Sequence, residues 1–279
     1  MQANKEDVIG KAWNAAMSGG IPGMAAMAAQ VTTLMWLRTT MNYQYRYGTS
    51  ISEAFKTIYA QGGIRRFYSG YTLAMIQGPL SRFGDTASNM GMMSLLGSYD
   101  LPIAVKTVAA SSAAAVFRIA LLPIDTLKTT MQVDGRKGWG AMHRKLKLEG
   151  PMVLFHGGGA AVLATFVGHY PWYTTFNYLN ATLPEYQDLG AKLTRNAFIG
   201  FCASVVSDTA SNSMRVIKTV RQTVHESKPY KDILKEIIEK EGLQGLFGRG
   251  LKMRLATNCA QGVMFSVLWK LGQEYYNKG

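Results

Sequence analysis

A 90-residue period governs this chain of 279 residues. Arg38-Thr39, Lys128-Thr129 and Lys218-Thr219 are each a base followed by threonine, and an amide stands four residues beyond each base: Asn42, Gln132 and Gln222. Further on in each copy come Gln61-Gly62, Glu149-Gly150 and Glu241-Gly242. The triplets Tyr68-Ser69-Gly70, Phe155-His156-Gly157 and Gly248-Arg249-Gly250 follow. Self-similarity at a fixed period marks units that cannot bury their apolar faces alone and must pack on one another. The middle copy carries a further signal, Pro123 followed by Asp125 and Lys128. A proline ahead of an acid and a base three residues apart sets a helix kink beside two opposite charges on one face. The stretch Leu122–Gln132 ends an apolar, small-residue segment that begins near Pro102. Charges at the end of so apolar a helix are costly unless they pair or face water.

On these residues the sequence resembles the mitochondrial carrier family along essentially its whole length. The family's repeat is a kinked helix ending in Pro-x-Asp/Glu-x-x-Lys/Arg with a glutamine four positions past the base. A short surface helix, a Glu-Gly turn, an aromatic-basic-glycine triplet and a second membrane helix follow. The resemblance implies an all-α membrane protein with six transmembrane helices in three pseudo-threefold repeats, each with an amphipathic surface helix on the matrix side. A single domain over 1–279 is expected, with repeats near 8–97, 98–187 and 188–279. The middle repeat fits closely. The other two keep their bases, amides and glycines but depart at the proline and the acid.

Composition pulls partly the other way. A mean hydropathy of +0.00 and 17% charged residues are polar for a membrane protein, and no segment has twenty wholly apolar residues. Helices that surround a water-filled cavity need only one apolar stripe each, which lowers the average. Small-residue runs, such as Ala109 to Ala115, let membrane helices approach closely. The net charge of +13 matches an anionic membrane surface, because no basic face interleaved with aromatics points to nucleic acid. Cys202 and Cys259 both lie in apolar segments, so neither a disulfide framework nor a metal site is expected. Met1 to Lys11 has no signal-peptide core.

The first helix is expected over roughly 8–40 with a break near Pro22, and the next begins at a capping box, Ser50-Ile51-Ser52-Glu53. Ile51, Ala54, Phe55, Ile58 and Tyr59 form an apolar stripe at helical spacing. Tyr230, Ile233, Leu234, Ile237 and Ile238 repeat it, and Trp139, Met142 and Leu146 give a weaker version. The remaining long helices are expected near 71–96, 102–132, 160–183, 193–222 and 251–275.

The resemblance assigns the functional positions. Its ring of acids and bases on the matrix side falls on Met35, Asp125 and Arg215 for the acids and on Arg38, Lys128 and Lys218 for the bases. The proline positions are Thr33, Pro123 and Ser213. Four cations thus face one anion, and the usual ring is not expected to close; Asn42, Gln132 and Gln222 would brace the gate. The cytosolic counterpart finds amides in Phe176-Asn177-Tyr178-Leu179-Asn180 and no charges at Trp269 and Gly272. An apolar or hydrogen-bonded plug is the alternative there. Substrate contacts counted from the glycines fall at Gln77, Ala164, Thr165 and Thr257, with Arg118 and Arg254 as further candidates for which pairing between repeats is an alternative of at least equal weight. Other charges expected to reach the cavity are Arg82, Asp85, His169 and Asp208; Arg82 and Asp85, three residues apart, are expected to pair. Gly70, Gly157 and Gly250, with Arg249, are candidate sites for cardiolipin, since helix starts attract phosphate. An equal alternative is that these glycines only shape a turn.

Catalysis is not expected. Gly157-Gly158-Gly159 lacks the lysine of a phosphate loop, and the four histidines are scattered. No cofactor is called for. Two functional readings stay open. One is an inner-mitochondrial-membrane carrier moving a small metabolite by alternating access, its cationic matrix end favouring an anion. The other is a transport-inactive subunit of a respiratory-chain or other inner-membrane complex.

Overall fold

The computed structural model describes residues 5–97 and 99–278. Every element is helical. The long helices are α1 (Lys5–Tyr47), α4 (Tyr71–Leu95), α5 (Ile103–Ala120) with α6 (Leu122–Asp134), α8 (Gly158–Thr182), α9 (Leu189–Thr223) and α11 (Leu251–Lys278). The short ones are α2 (Ile51–Ala60), α3 (Gly63–Phe67), α7 (Lys137–Glu149) and α10 (Tyr230–Gly248). Neighbours in the chain pack on one another, α1 on α4, α4 on α5, α5 on α8 and α8 on α9, and α11 closes the ring by touching both α9 and α1. At one end α1, α6 and α9 also meet pairwise. Three equivalent helices therefore converge there, one from each repeat.

The bend between α5 and α6 is 65° and falls at Leu121, two residues before Pro123. Proline has no N–H to return to the carbonyl four residues back, and its ring crowds that carbonyl. In the equivalent helices Thr33 and Ser213 replace the proline, and α1 and α9 run through unbroken. The break expected near Pro22 is likewise not present: α1 is a single helix of 43 residues. A proline cancels one backbone bond, and neighbouring turns held against α4 carry the helix across it.

The surface helices follow their sequence patterns. The Ser50 hydroxyl accepts the Glu53 backbone N–H at 3.2 Å and caps α2. Within each stripe the inner residues are buried, namely Ala54 and Ile58, Met142, and Ile233 and Ile237. The outer ones, Ile51, Phe55, Tyr59, Trp139, Tyr230 and Ile238, stay exposed. The long helices show the same division. Ala110, Ala114 and Ala115 of α5 are buried, while Val105, Val108, Val116 and Ile119 form an outward stripe. Leu163, Val167, Tyr170 and Tyr178 do so on α8. Pro151–Thr182 is long and apolar enough to cross a membrane, and the bent pair Val105–Ala120 with Leu122–Asp134 qualifies together.

Repeat is tied to repeat by a cyclic set of cations on helix ends. Arg66 of α3 donates to the carbonyls of Gln132 (2.9 Å) and Val133 (2.5 Å) at the end of α6. Lys145 of α7 donates to Val224 O (2.8 Å) at the end of α9. Arg249, after α10, donates to Tyr45 O (3.3 Å) and Arg46 O (3.4 Å) at the end of α1. Each cation meets carbonyls that no helical N–H can satisfy, at the negative end of the helix dipole. Lys145 is 3% exposed, so its removal leaves a buried carbonyl without its donor.

Two measurements test this frame. Lys145→Met should destabilise the purified protein by about 1–3 kcal/mol, read as lowered thermal unfolding with the helical content unchanged. On the exposed side of α10, Glu236 accepts from Lys228 and Lys240, each at 2.8 Å, and these bonds hold its carboxyl down at about 2. A depressed carboxyl contributes stability that is complete above its ordinary value near 4.5 and is lost as pH falls toward 2. Glu236→Gln should therefore flatten that part of an acid titration of the melting temperature and leave the neutral range little changed.

Candidate functional site

Asp125 sits at the convergence of α1, α6 and α9. The 65° bend before it turns the first residues of α6 inward, and its backbone N–H bonds to Leu121 O at 3.0 Å across the break. Its carboxylate is buried and takes two lysines, Lys128 of its own helix at 2.6 Å and Lys218 of α9 at 2.5 Å. Lys128 also donates to Gln77 Oε1 of α4 at 2.7 Å. The Gln222 amide lies beneath, donating to Asp125 Oδ2 (3.3 Å) and Thr126 Oγ1 (3.0 Å). Asn42 of α1 donates to Gln132 Oε1 of α6 at 2.6 Å. Side chains from three repeats are thus joined through the Asp125 carboxylate, its two lysines and the amides of Gln77 and Gln222, and the Asn42–Gln132 bond links the first and second repeats separately.

Arg215 does not face Asp125. Asp208, two helical turns earlier on α9, supplies a second carboxylate, which lies 3.7 Å from Arg215 and 2.6 Å from Arg254 of α11. Asn258 donates to its other oxygen. Expecting four cations around one anion is therefore too stark, because residues seven apart share a helix face and Asp208 reaches the same layer as Arg215. Asp208 was legible as a charge in the cavity, but its partners were not. Arg38 is the cation left over: it donates to the neutral Gln30 Oε1 (3.4 Å) and Met27 Sδ (3.3 Å), and Met35 is fully buried where an acid was expected.

Arg82 and Asp85 do not pair. Asp85 forms a two-pronged ion pair with Arg118 of α5, Nε to Oδ1 at 2.9 Å and Nη2 to Oδ2 at 2.6 Å, and Arg82 is exposed. The planar guanidinium of a neighbouring helix matches both carboxylate oxygens, which a base three residues along one helix does not.

Between these clusters lies a cavity of about 110 Å³. Gln77, Ala164, Arg118 and Arg254 line it, as do Asp125 and Lys218. Thr165 and Thr257 are buried and turn their hydroxyls back onto Ala161 O and Met253 O of their own helices. Among the described residues, two uncharged links lie away from the Asp125 cluster: Tyr173 OH to Asn89 Oδ1 at 2.9 Å, and Ser111 Oγ to His169 Nδ1 at 2.7 Å. Asn180 is drawn outward, its carbonyl and side chain both held by Arg195. The side chains of Trp269 and Gly272 lie outside the described residues.

The three triplet glycines lie where one repeat touches the next. A methyl group on Gly157 (φ +84°) would sit 3.1 Å from Lys218 O and from Gln222 Cγ, and one on Gly250 (φ +64°) would sit 2.6 Å from the Tyr45 ring. Left-handed backbone and close approach both require glycine there. Gly70 stands in the same relation to Met131 and the Lys128 carbonyl. Arg249 is engaged by Glu241 at 2.6 and 2.9 Å. Among the described residues no group of three His, Cys, Asp or Glu side chains stands close enough to hold a metal.

Comparison with known proteins agrees with this architecture. A yeast protein named calcium-binding mitochondrial carrier SAL1 (Saccharomyces cerevisiae) is 30% identical over 246 residues, covering 77% of this chain and 45% of the relative. A second yeast protein, peroxisomal adenine nucleotide transporter 1, is 23% identical over 199 residues, covering 59% of this chain and 61% of the relative. The chain thus spans less than two thirds of the length of either. The family model described as mitochondrial carrier protein matches residues 10–98, 99–187 and 190–279, one match per repeat. With nearly the whole chain matched, this protein belongs to the mitochondrial carrier family.

Proposed function

We propose that this protein is a solute carrier of the inner mitochondrial membrane, moving a small anionic metabolite by alternating access. The observation that carries the reading is the Asp125 cluster. Its pair with Lys218 bridges two repeats where α1, α6 and α9 meet, and it closes one end of a polar cavity. A gate of this kind opens by exchanging ion pairs for water, at a cost set by burial. The outward apolar stripes of α5 and α8 suit six long helices that span a bilayer. The half-exposed stripes of α2, α7 and α10 suit short helices lying at its matrix face. The free N–H groups at the starts of α4, α8 and α11 are the candidate contacts for cardiolipin. Family members are transporters, and the reading leaves no part for an enzyme.

A second reading is that of an accessory subunit of an inner-membrane complex that no longer cycles. It is favoured by a specific loss: Met35 and Arg215 stand at acid positions, so only one carboxylate of the ring remains. The two readings separate in reconstituted liposomes. Uptake should be tested with a panel of nucleotides, phosphate, carboxylates and amino acids, nucleotides first because one relative is named as an adenine nucleotide transporter. Saturable uptake is expected, and Asp125→Asn should reduce it at least tenfold. No uptake of any solute, with co-purification in a large respiratory assembly, would establish the subunit reading instead.

Asp125→Asn also has a stability readout. Removing one partner of a buried pair strands the other charges, here Lys128 and Lys218, and should cost about 3–5 kcal/mol in unfolding experiments. The double variant Asp125→Asn, Lys218→Gln should recover part of that loss, because one stranded cation is then gone.

A further inference from the structure

The layer around the cavity holds more cationic than anionic side chains, and each carboxylate is already committed. Asp85 takes Arg118, Asp125 takes Lys128 and Lys218, and Asp208 is divided between Arg215, Arg254 and Asn258. Among the described residues the acceptors of Arg38 are the neutral Met27 Sδ and Gln30 Oε1. Cations clustered in one partly enclosed cavity repel one another and favour a counter-charge there. Arg215, Arg254 and Arg118 all front the same 110 Å³ cavity, with Tyr45 and Ser81 beside them. Arg215 spends Nε on Ser211 and Nη2 on Asp208, and Arg118 spends Nε and Nη2 on Asp85. Each therefore retains N–H groups at the cavity, and guanidinium N–H groups fit an oxyanion in a fixed geometry. The cavity is large enough for a small ion.

We propose that a small oxyanion, of the phosphate or carboxylate class, is a structural component of the closed gate. It binds between Arg215, Arg254 and Arg118 and supplies negative charge in the layer where positions 35 and 215 both lack a carboxylate. The ion offsets part of the cationic excess, so closing the gate depends on anion concentration. The proposal rests on the gate described for the carrier reading but not on transport. Anion binding stabilises the closed bundle whether or not any solute is moved, so failure of uptake and failure of the anion site are seen separately.

The test is the melting temperature of the full chain in detergent at constant ionic strength, titrating inorganic phosphate against gluconate. Phosphate should raise it saturably, by about 5 °C at saturation. Arg215→Glu places an acid beside Arg254 and within the same layer as Arg38. It should abolish the phosphate response in the melting temperature. Arg215→Gln removes a donor without adding an acid and should weaken apparent phosphate affinity about tenfold, which tests the site even where Arg215→Glu fails to fold. A response unchanged in both variants would place the anion elsewhere, on the surface or at lipid positions, and overturn the proposal; so would a phosphate curve that coincides with gluconate. Radiolabelled phosphate uptake in liposomes then distinguishes the two sources of this chemistry. Phosphate that stabilises without being taken up is a resident gate ion, and phosphate that is taken up is cargo passing the same arginines.

Discussion

The pair between Asp125 and Lys218 is the charged contact at the centre of the convergence of α1, α6 and α9. It is buried, it crosses from the second repeat to the third, and Gln222 and Thr126 hold its geometry from beneath. A charge in such a place is tolerated only where partners and hydrogen bonds replace water. Pro123 makes this possible by bending the helix at Leu121, which carries the first turn of α6 toward the axis. Local chain chemistry, a missing backbone donor, thus sets the position of the most consequential charge.

The three repeats meet this requirement differently. The second has proline, acid and base; the first keeps only the base; the third keeps a base and puts arginine where the acid would stand. The structure accommodates the loss by recruiting Asp208 from two turns away, by turning Lys128 to Gln77, and by leaving Arg38 to neutral partners. The outer frame varies less. Arg66, Lys145 and Arg249 perform one task in three settings, each ending a helix of the next repeat, and the triplet glycines mark the same seams. The threefold architecture is therefore held at its rim by a cyclic set of helix-end contacts, while its axis is asymmetric.

Much of this could be read before any coordinates. Amphipathic spacing placed α2 and α10, and the Ser50 capping box marked the first residue of α2. Pro123 signalled a bend, and the amides at 42, 132 and 222 recur four residues beyond each base. Pro22 shows the limit of that reading: a proline signal was present, but packing against α4 carries α1 through it. Arg82 and Asp85 show another, since adjacency on a helix gave way to a better-shaped partner on α5.

What the sequence determined by itself was periodic: three units, their helices, their short surface segments and the family they belong to. Such features depend on neighbours within a turn or two and on a repeat that copies them. Only the tertiary structure decided which cation each carboxylate takes. Asp125, Asp85 and Asp208 choose partners from helices distant in the chain. Pairing strength there depends on burial and on the angle at which a guanidinium or ammonium arrives, and neither is written in spacing along one strand of chain.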